Sequence, residues 1–182
     1  MKGDYSRNTF AQEKHYSNIR IQQGRVQTDA DFNEQIDIAT HRVETGAKDM
    51  VGYGGVPAKD PGFGISGDNG NIIIGKGRCY LDGALIENEN DVDYMAQKDM
   101  PGASAPGENG VYLAYLDMWP RHISALDDPD IIDAALDGHD TATRVKNLWQ
   151  VKLTKLGESG FEANPEQKEL FVRPGKVAYF SG

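Results

Sequence analysis

The residue types able to do chemistry are scattered along this 182-residue chain rather than gathered into one reactive set. Glu87 and Glu89 stand two apart, and on a strand both carboxylates would share one face, as glycoside hydrolysis asks of its paired acids. The same charges keep an exposed strand edge from pairing with a foreign strand, which is the simpler account. The histidines are His15, His41, His122 and His139, and none has an H-E-x-x-H or H-x-x-x-H partner that would bring two imidazoles to one metal. His139-Asp140 could form an acid–base pair, although an aspartate after Gly138 more simply bonds the loop backbone. Cys79, the single cysteine, can form no internal disulfide and reads as a buried thiol. No G-x-S-x-G elbow presents a serine.

Two further clusters carry more than one reading. Asp127, Asp128, Asp130 and Asp133 have the charge for calcium, but an EF-hand's sixth-position glycine and closing glutamate are missing. Helix capping and first-turn dipole charge explain the same aspartates. Gly62-Phe63-Gly64-Ile65-Ser66-Gly67 spells G-x-G-x-x-G, yet Asp60-Pro61 precedes it and Asp68-Asn69-Gly70 follows it. A pyrophosphate needs that turn between a strand and a helix N-terminus, so dinucleotide binding is not expected. Trp119 and Trp149 could stack on a sugar, but each sits in an apolar run and reads as core. The chain is therefore expected to be no enzyme, with no catalytic residue, no metal and no cofactor.

Composition narrows the classes further. Nineteen Lys+Arg against twenty-eight Asp+Glu give a net charge of −9, the wrong sign for a generic nucleic-acid binder. No stretch approaches the roughly 20 apolar residues of a membrane span, and the opening residues lack a signal peptide's apolar core. The charge is uneven. Lys2, Arg7, Lys14, Arg20 and Arg25 outnumber Asp4 and Glu13 in residues 1–28, a net +3 that leaves −12 on the remainder. A basic leading arm on an acidic body could pair with a neighbouring copy.

The elements that must position these residues can be read from period and punctuation. The pattern predicts an α+β, β-dominated fold with hairpins, one long N-terminal amphipathic helix and an extended N-terminal arm. Residues 1–18 read as a docking arm dotted with Tyr5, Phe10 and Tyr16, too poor in apolar surface to order on its own domain and so expected to fold on a partner molecule. Residues 19–52 read as a strand-turn followed by a helix from Asp29 to Val51. In that helix Phe32, Ile36, Ala39, Val43, Ala47 and Met50 form one stripe, and Glu34, Asp37, Glu44 and Lys48 lie opposite. Thr28 and Asp31 suit a capping box, and Gly52 a left-handed C-terminal stop. One stripe implies one burial partner: a sheet of the same chain, or identical helices around an axis.

Residues 53–71 read as a Gly/Pro-rich linker and 72–182 as a β-rich domain. Asp82-Gly83 between apolar runs predicts a hairpin. Val111–Trp119 reads as a central strand ended by Pro120, and a short helix is expected near 129–137. Val145, Trp149, Val151 and Leu153 should share one face of a strand across 143–156. The closing FVRPGKVAYFSG reads as one more strand, which suggests either a longer natural parent or a tail that completes another subunit's sheet.

The opening MKGDYSRNTF…HYSNIRIQQGRVQTDADFNEQ resembles a family of uncharacterised proteins associated with phage tails and contractile injection systems. The matching residues are Lys2-Gly3-Asp4, Arg7, Thr9-Phe10, Lys14-His15-Tyr16, Gln22 to Val26, Asp29 to Asp31 and Asn33-Glu34-Gln35. Tyr5, Thr28 and Phe32 depart from the pattern. Gly77 to Gly83 with Glu87-Asn88-Glu89 resemble a second block. Tyr112 to Asp117, Arg121-His122, Leu126 to Pro129 and Asp140 to Arg144 resemble a third.

The resemblance implies a structural component of a virion or tail-like injection particle, at the baseplate or anchoring a fibre or spike, assembled in the bacterial cytoplasm. Baseplate or tail components are the implied partners, together with further copies of the chain, a trimer being the first expectation. The interface is expected at Arg7, Phe10, Tyr16, Arg20, Arg25, Phe32 and Asn33. The alternatives are a carbohydrate-binding or carbohydrate-cleaving receptor-facing module and a small injected effector.

Overall fold

The computed structural model describes residues 5–68, 71–104, 106, 110–157 and 176–179. The family-like Lys2-Gly3-Asp4 and the polar segment 164–170 lie outside them. The fold is α+β and β-dominated: the described residues form one long helix and nine strands in three small sheets. Two compact units divide the chain, one from its start to Gly46 together with His122–Arg144, the other from Ala47–Arg121 together with Val145 onward.

The first unit is built on helix α1, Asp29–Val51, which runs on into the second unit at Ala47. Its start is the capping box that the sequence predicts. Thr28 N–H and Oγ1 donate to Asp31 Oδ2 at 3.1 and 2.8 Å, and Asp31 N–H returns a bond to Thr28 Oγ1 at 3.3 Å. The two strands expected on either side of Gly24 do not form. The turn does, with Gly24 at φ 72° and Arg25 N–H donating to the Gln22 carbonyl at 3.2 Å, but the flanking residues pair with no strand. Ile19 N–H bonds the Gln35 side chain instead, at 2.7 Å. The helix expected near 129–137 is two 3-10 turns, Pro129–Ile131 and Ala134–Leu136. Asp128 and Asp133 cap them, so each turn is closed before an α-helix can propagate.

The second unit holds the apolar core. It contains β1 (Gly54–Gly55), β2 (Ile65–Asp68), β3 (Asn71–Ile74), β4 (Gly77–Leu81), β5 (Ala84–Asn88) and β6 (Val92–Asp93). Strand β7 (Val111–Ile123) ends in the first unit, β8 (Arg144–Gly157) begins there at Arg144, and β9 (Lys176–Tyr179) completes the set. The sheet orders are β1-β4-β5, β2-β3-β6 and β8-β7-β9. Asp82 and Gly83 take φ of 51° and 89°, the doubly positive turn a two-residue hairpin needs, and Leu81 pairs with Ala84 across it. Phe63, Ile74, Cys79, Leu81, Ile86, Tyr94, Ala114, Leu116 and Val151 form the core, with Trp149 and Leu153 packed against it.

Four expectations are corrected here. The segment 53–71 is no simple linker, because it contributes β1, β2 and Phe63, which is 1 % exposed. Pro120 does not end β7, which continues to Ile123 with Pro120 exposed, where a missing N–H leaves no buried acceptor unmet. Val145 is 54 % exposed although it keeps step with Trp149 and Val151. The last strand completes a sheet of its own chain, since β9 pairs antiparallel with β7, Ala114 opposite Tyr179.

Of the three glycines of the G-x-G-x-x-G segment, Gly62 alone is required sterically. A Cβ on Gly62 would lie 2.3 Å from the Arg78 backbone nitrogen, and one on Gly77 would lie 2.6 Å from Gly62 Cα, so two chains cross there without side chains. A Cβ on Gly64 would meet nothing. Gly62→Ala is expected to lower the urea midpoint by the equivalent of about 2 kcal/mol or more, and Gly64→Ala to leave it within about 0.5 kcal/mol. Equal effects in urea melts would show that the crossing does not control stability.

Candidate functional site: the exposed face of helix α1

The sequence makes α1 amphipathic, and ordinarily the apolar stripe would face the interior. Here the faces are reversed. Phe32, Ile36, Val43 and Met50 are 57, 50, 70 and 83 % exposed, and Ala39 is exposed with them. Ala30 and Ile38 are the helix's buried residues.

The face expected to be polar and solvated is the one the chain occupies. Ser6 N–H and Oγ donate to Asp29 at 3.0 and 2.7 Å. Thr9 Oγ1 donates to Glu34, and the Phe10 ring leans on His41 with centroids 5.7 Å apart. Tyr5 reaches the returning segment, its hydroxyl 2.8 Å from Thr143 Oγ1 and its ring edge-on to His122. The expectation that the arm is completed by another molecule is corrected: its described residues lie back along their own helix, because Ser6, Thr9, Phe10 and Ile19 find their partners there. In the second unit, the last turn of α1 is held by Lys48, which pairs with Asp82 at 2.6 Å and stands over the Tyr53 ring.

These bonds explain the titration of the site. Hydrogen bonds from Ser6, backbone first, hold the Asp29 carboxyl below its ordinary value, and the Thr28 hydroxyl and N–H do the same for Asp31. Burial and then the neighbouring Glu34 push Asp37 up. The bond to Asp82 raises the Lys48 ammonium.

The interface residues expected from the sequence divide accordingly. Arg7, Tyr16, Arg20, Arg25 and Phe32 are exposed, while Phe10 and Asn33 are half-buried. Phe10 holds the arm against His41 and is spent at home rather than offered outward. Of the apolar stripe only Phe32 was among those seven. Ile36, Val43 and Met50 belong with it, and the signal was their common spacing on α1.

The other chemical candidates have structural employment. Asp127 accepts from Ser124 N–H and Oγ, and Asp128 and Asp133 cap their 3-10 turns. Among the described residues no three His, Cys, Asp or Glu side chains are grouped to hold a metal. Trp149 packs edge-on against Phe63 at 5.0 Å and donates its indole N–H to the Glu87 carbonyl at 3.2 Å. Its ring is part of the body's packing rather than a free platform, while the Glu87 and Glu89 side chains face solvent. The apolar pocket between Phe63, Ile65, Ala114, Tyr115, Leu116 and Val151 has about 10 Å³ free, room for about one water. The described helices include none long and apolar enough to cross a membrane.

The model of a family of unknown function, DUF6519, matches residues 1–164. No curated protein and no solved structure matches the chain.

Since Asp29 and Asp31 have lowered folded values, their stabilisation is present above the unfolded carboxylate value, roughly pH 4. It is lost as pH falls through the lower folded values. Amide-exchange protection at Ser6 and Thr28 should therefore be substantial at about pH 6 and be lost only as pH falls below the ordinary carboxylate range. Protection that is already missing at pH 6 would show that the arm does not lie on α1 in solution.

Proposed function

We propose, on the premise that this chain belongs to the DUF6519 family, that it is a non-enzymatic docking component of a phage tail or contractile injection particle. Its place is at the baseplate or at the anchor of a fibre or spike. The observation that carries the docking part is the exposed apolar face of α1, whose opposite side is already held by the chain's own arm at Glu34 and His41. Large apolar side chains aligned along one helix and left in water mark a surface that another molecule covers.

The placement in a tail-like particle rests on the three blocks of sequence resemblance, MKGDYSRNTF to Gln35, Gly77 to Glu89 and Tyr112 to Arg144. The employment of Trp149 in packing favours this reading over a carbohydrate site. Baseplate or tail proteins and further copies of the chain are the partners, and the particle, assembled in the bacterial cytoplasm, is its location.

The test is a gradient-purified particle from cells that carry the gene beside sheath and tube genes. The chain should co-sediment with sheath and tube. Val43→Glu, which places a charge on the exposed face without touching the core, should reduce its occupancy at least tenfold. Intact, contracting particles that contain none of the chain would overturn the proposal.

A further inference from the structure

The exposed face of α1 has a finer pattern than amphipathicity requires. Phe32, Ile36, Ala39, Val43, Gly46 and Met50 follow one another at steps of 4, 3, 4, 3 and 4 residues. That is the 3.5-residue repeat of a helix-to-helix seam, and a sheet or loop would not ask for it. The other helices among the described residues are three-residue 3-10 turns, so none of them can fill the seam.

We infer that the seam is covered by α1 of a second copy, running antiparallel about a two-fold axis. The inference rests on the reading of this face as a docking surface and names its occupant. Large residues alternate with small ones in a way that only the antiparallel arrangement uses. With Ala39 set opposite the second copy's Val43, Ile36 meets Gly46 and Phe32 meets Met50, and the same three layers repeat beyond the axis. All six seam positions are then paired, four of the layers placing a large side chain against alanine or glycine. A parallel pair or threefold would put Gly46 on Gly46 and Phe32 on Phe32, a void and a crowd on one seam.

Charge and area agree. The residues flanking the seam are Asn33, Gln35, Thr40 and Ala47, all uncharged, with Arg42 and Asp49. Arg42 faces its own counterpart near the axis, an exposed and salt-screened repulsion. Antiparallel helices also oppose their macrodipoles. Covering four side chains that are half or more exposed on each copy removes on the order of 1,000 Å² in total, the size at which a specific interface begins.

Sedimentation equilibrium of the full chain over a concentration series tests the pairing. A monomer–dimer equilibrium is expected, and Val43→Glu should raise its dissociation constant at least tenfold with unchanged circular dichroism. Orientation is tested by single cysteines, since native Cys79 is buried. Thr40→Cys lies beside the axis and should oxidise to a covalent dimer. Ile36→Cys should not, because the two sites are about 15 Å apart along the helix axis at 1.5 Å per residue.

A chain that stays monomeric at every concentration overturns the inference, and so does cross-linking through Ile36→Cys but not Thr40→Cys. A monomer that still co-sediments with particles overturns the pair alone and leaves the docking proposal standing. A dimer missing from particles overturns the docking proposal alone.

Discussion

The hydrogen bonds from Ser6, Thr9 and Ile19 to Asp29, Glu34 and Gln35 decide which side of α1 is left exposed. A polar face on a helix normally needs nothing but water. Here it receives an arm whose own backbone and hydroxyl groups need partners, and the match satisfies both. Phe10 against His41 and the burial of Ile38 add an apolar component. Once that face is occupied, the apolar stripe has no place in its own chain. The leading residues thus act as a backing strip that turns an ordinary amphipathic helix into an outward-facing one.

The β-rich unit solves a different problem, that of many short strands with open edges. Polar side chains stand in for missing strand neighbours. Gln97 gives Val151 both a donor and an acceptor, at 3.0 and 2.6 Å, as a paired strand residue would. Asn147 and Trp149 cover the Leu85 and Glu87 carbonyls of β5. Edges capped in this way are poor templates for foreign strands, which leaves helix packing as the better-prepared route to association. The Gly62–Gly77 crossing allows the segment before β2 to approach β4 closely and to deliver Phe63 into the core.

The chemistry-bearing residues share a theme of structural use. Aspartates that resemble a calcium cluster bond the backbone amides of their own turns, and the first glycine of a string that resembles a nucleotide loop makes room, with Gly77, for a close crossing of two segments. In both cases the residue types suit a ligand while the local backbone consumes their capacity.

Much of the local structure was legible from residue types. Thr28, Asp31 and Gly52 mark the ends of α1 because capping depends on bonds within one turn. Asp82-Gly83 marks its hairpin because positive φ is a property of those two residues. The linker reading of 53–71 missed β1, β2 and buried Phe63, whose pairing partners lie far along the chain and leave no local period. The strands expected around Gly24 failed for the same reason reversed: Ile19 had a helix side chain to bond, and the alternation there could not reveal it.

By itself the sequence determined the helix, its caps, its stripe and the hairpin turn, since each depends on residues within a few positions of one another. Only the tertiary structure decided which side of the helix is covered. That choice was made by side-chain bonds across 16 to 25 positions of the chain, which no period within the helix encodes.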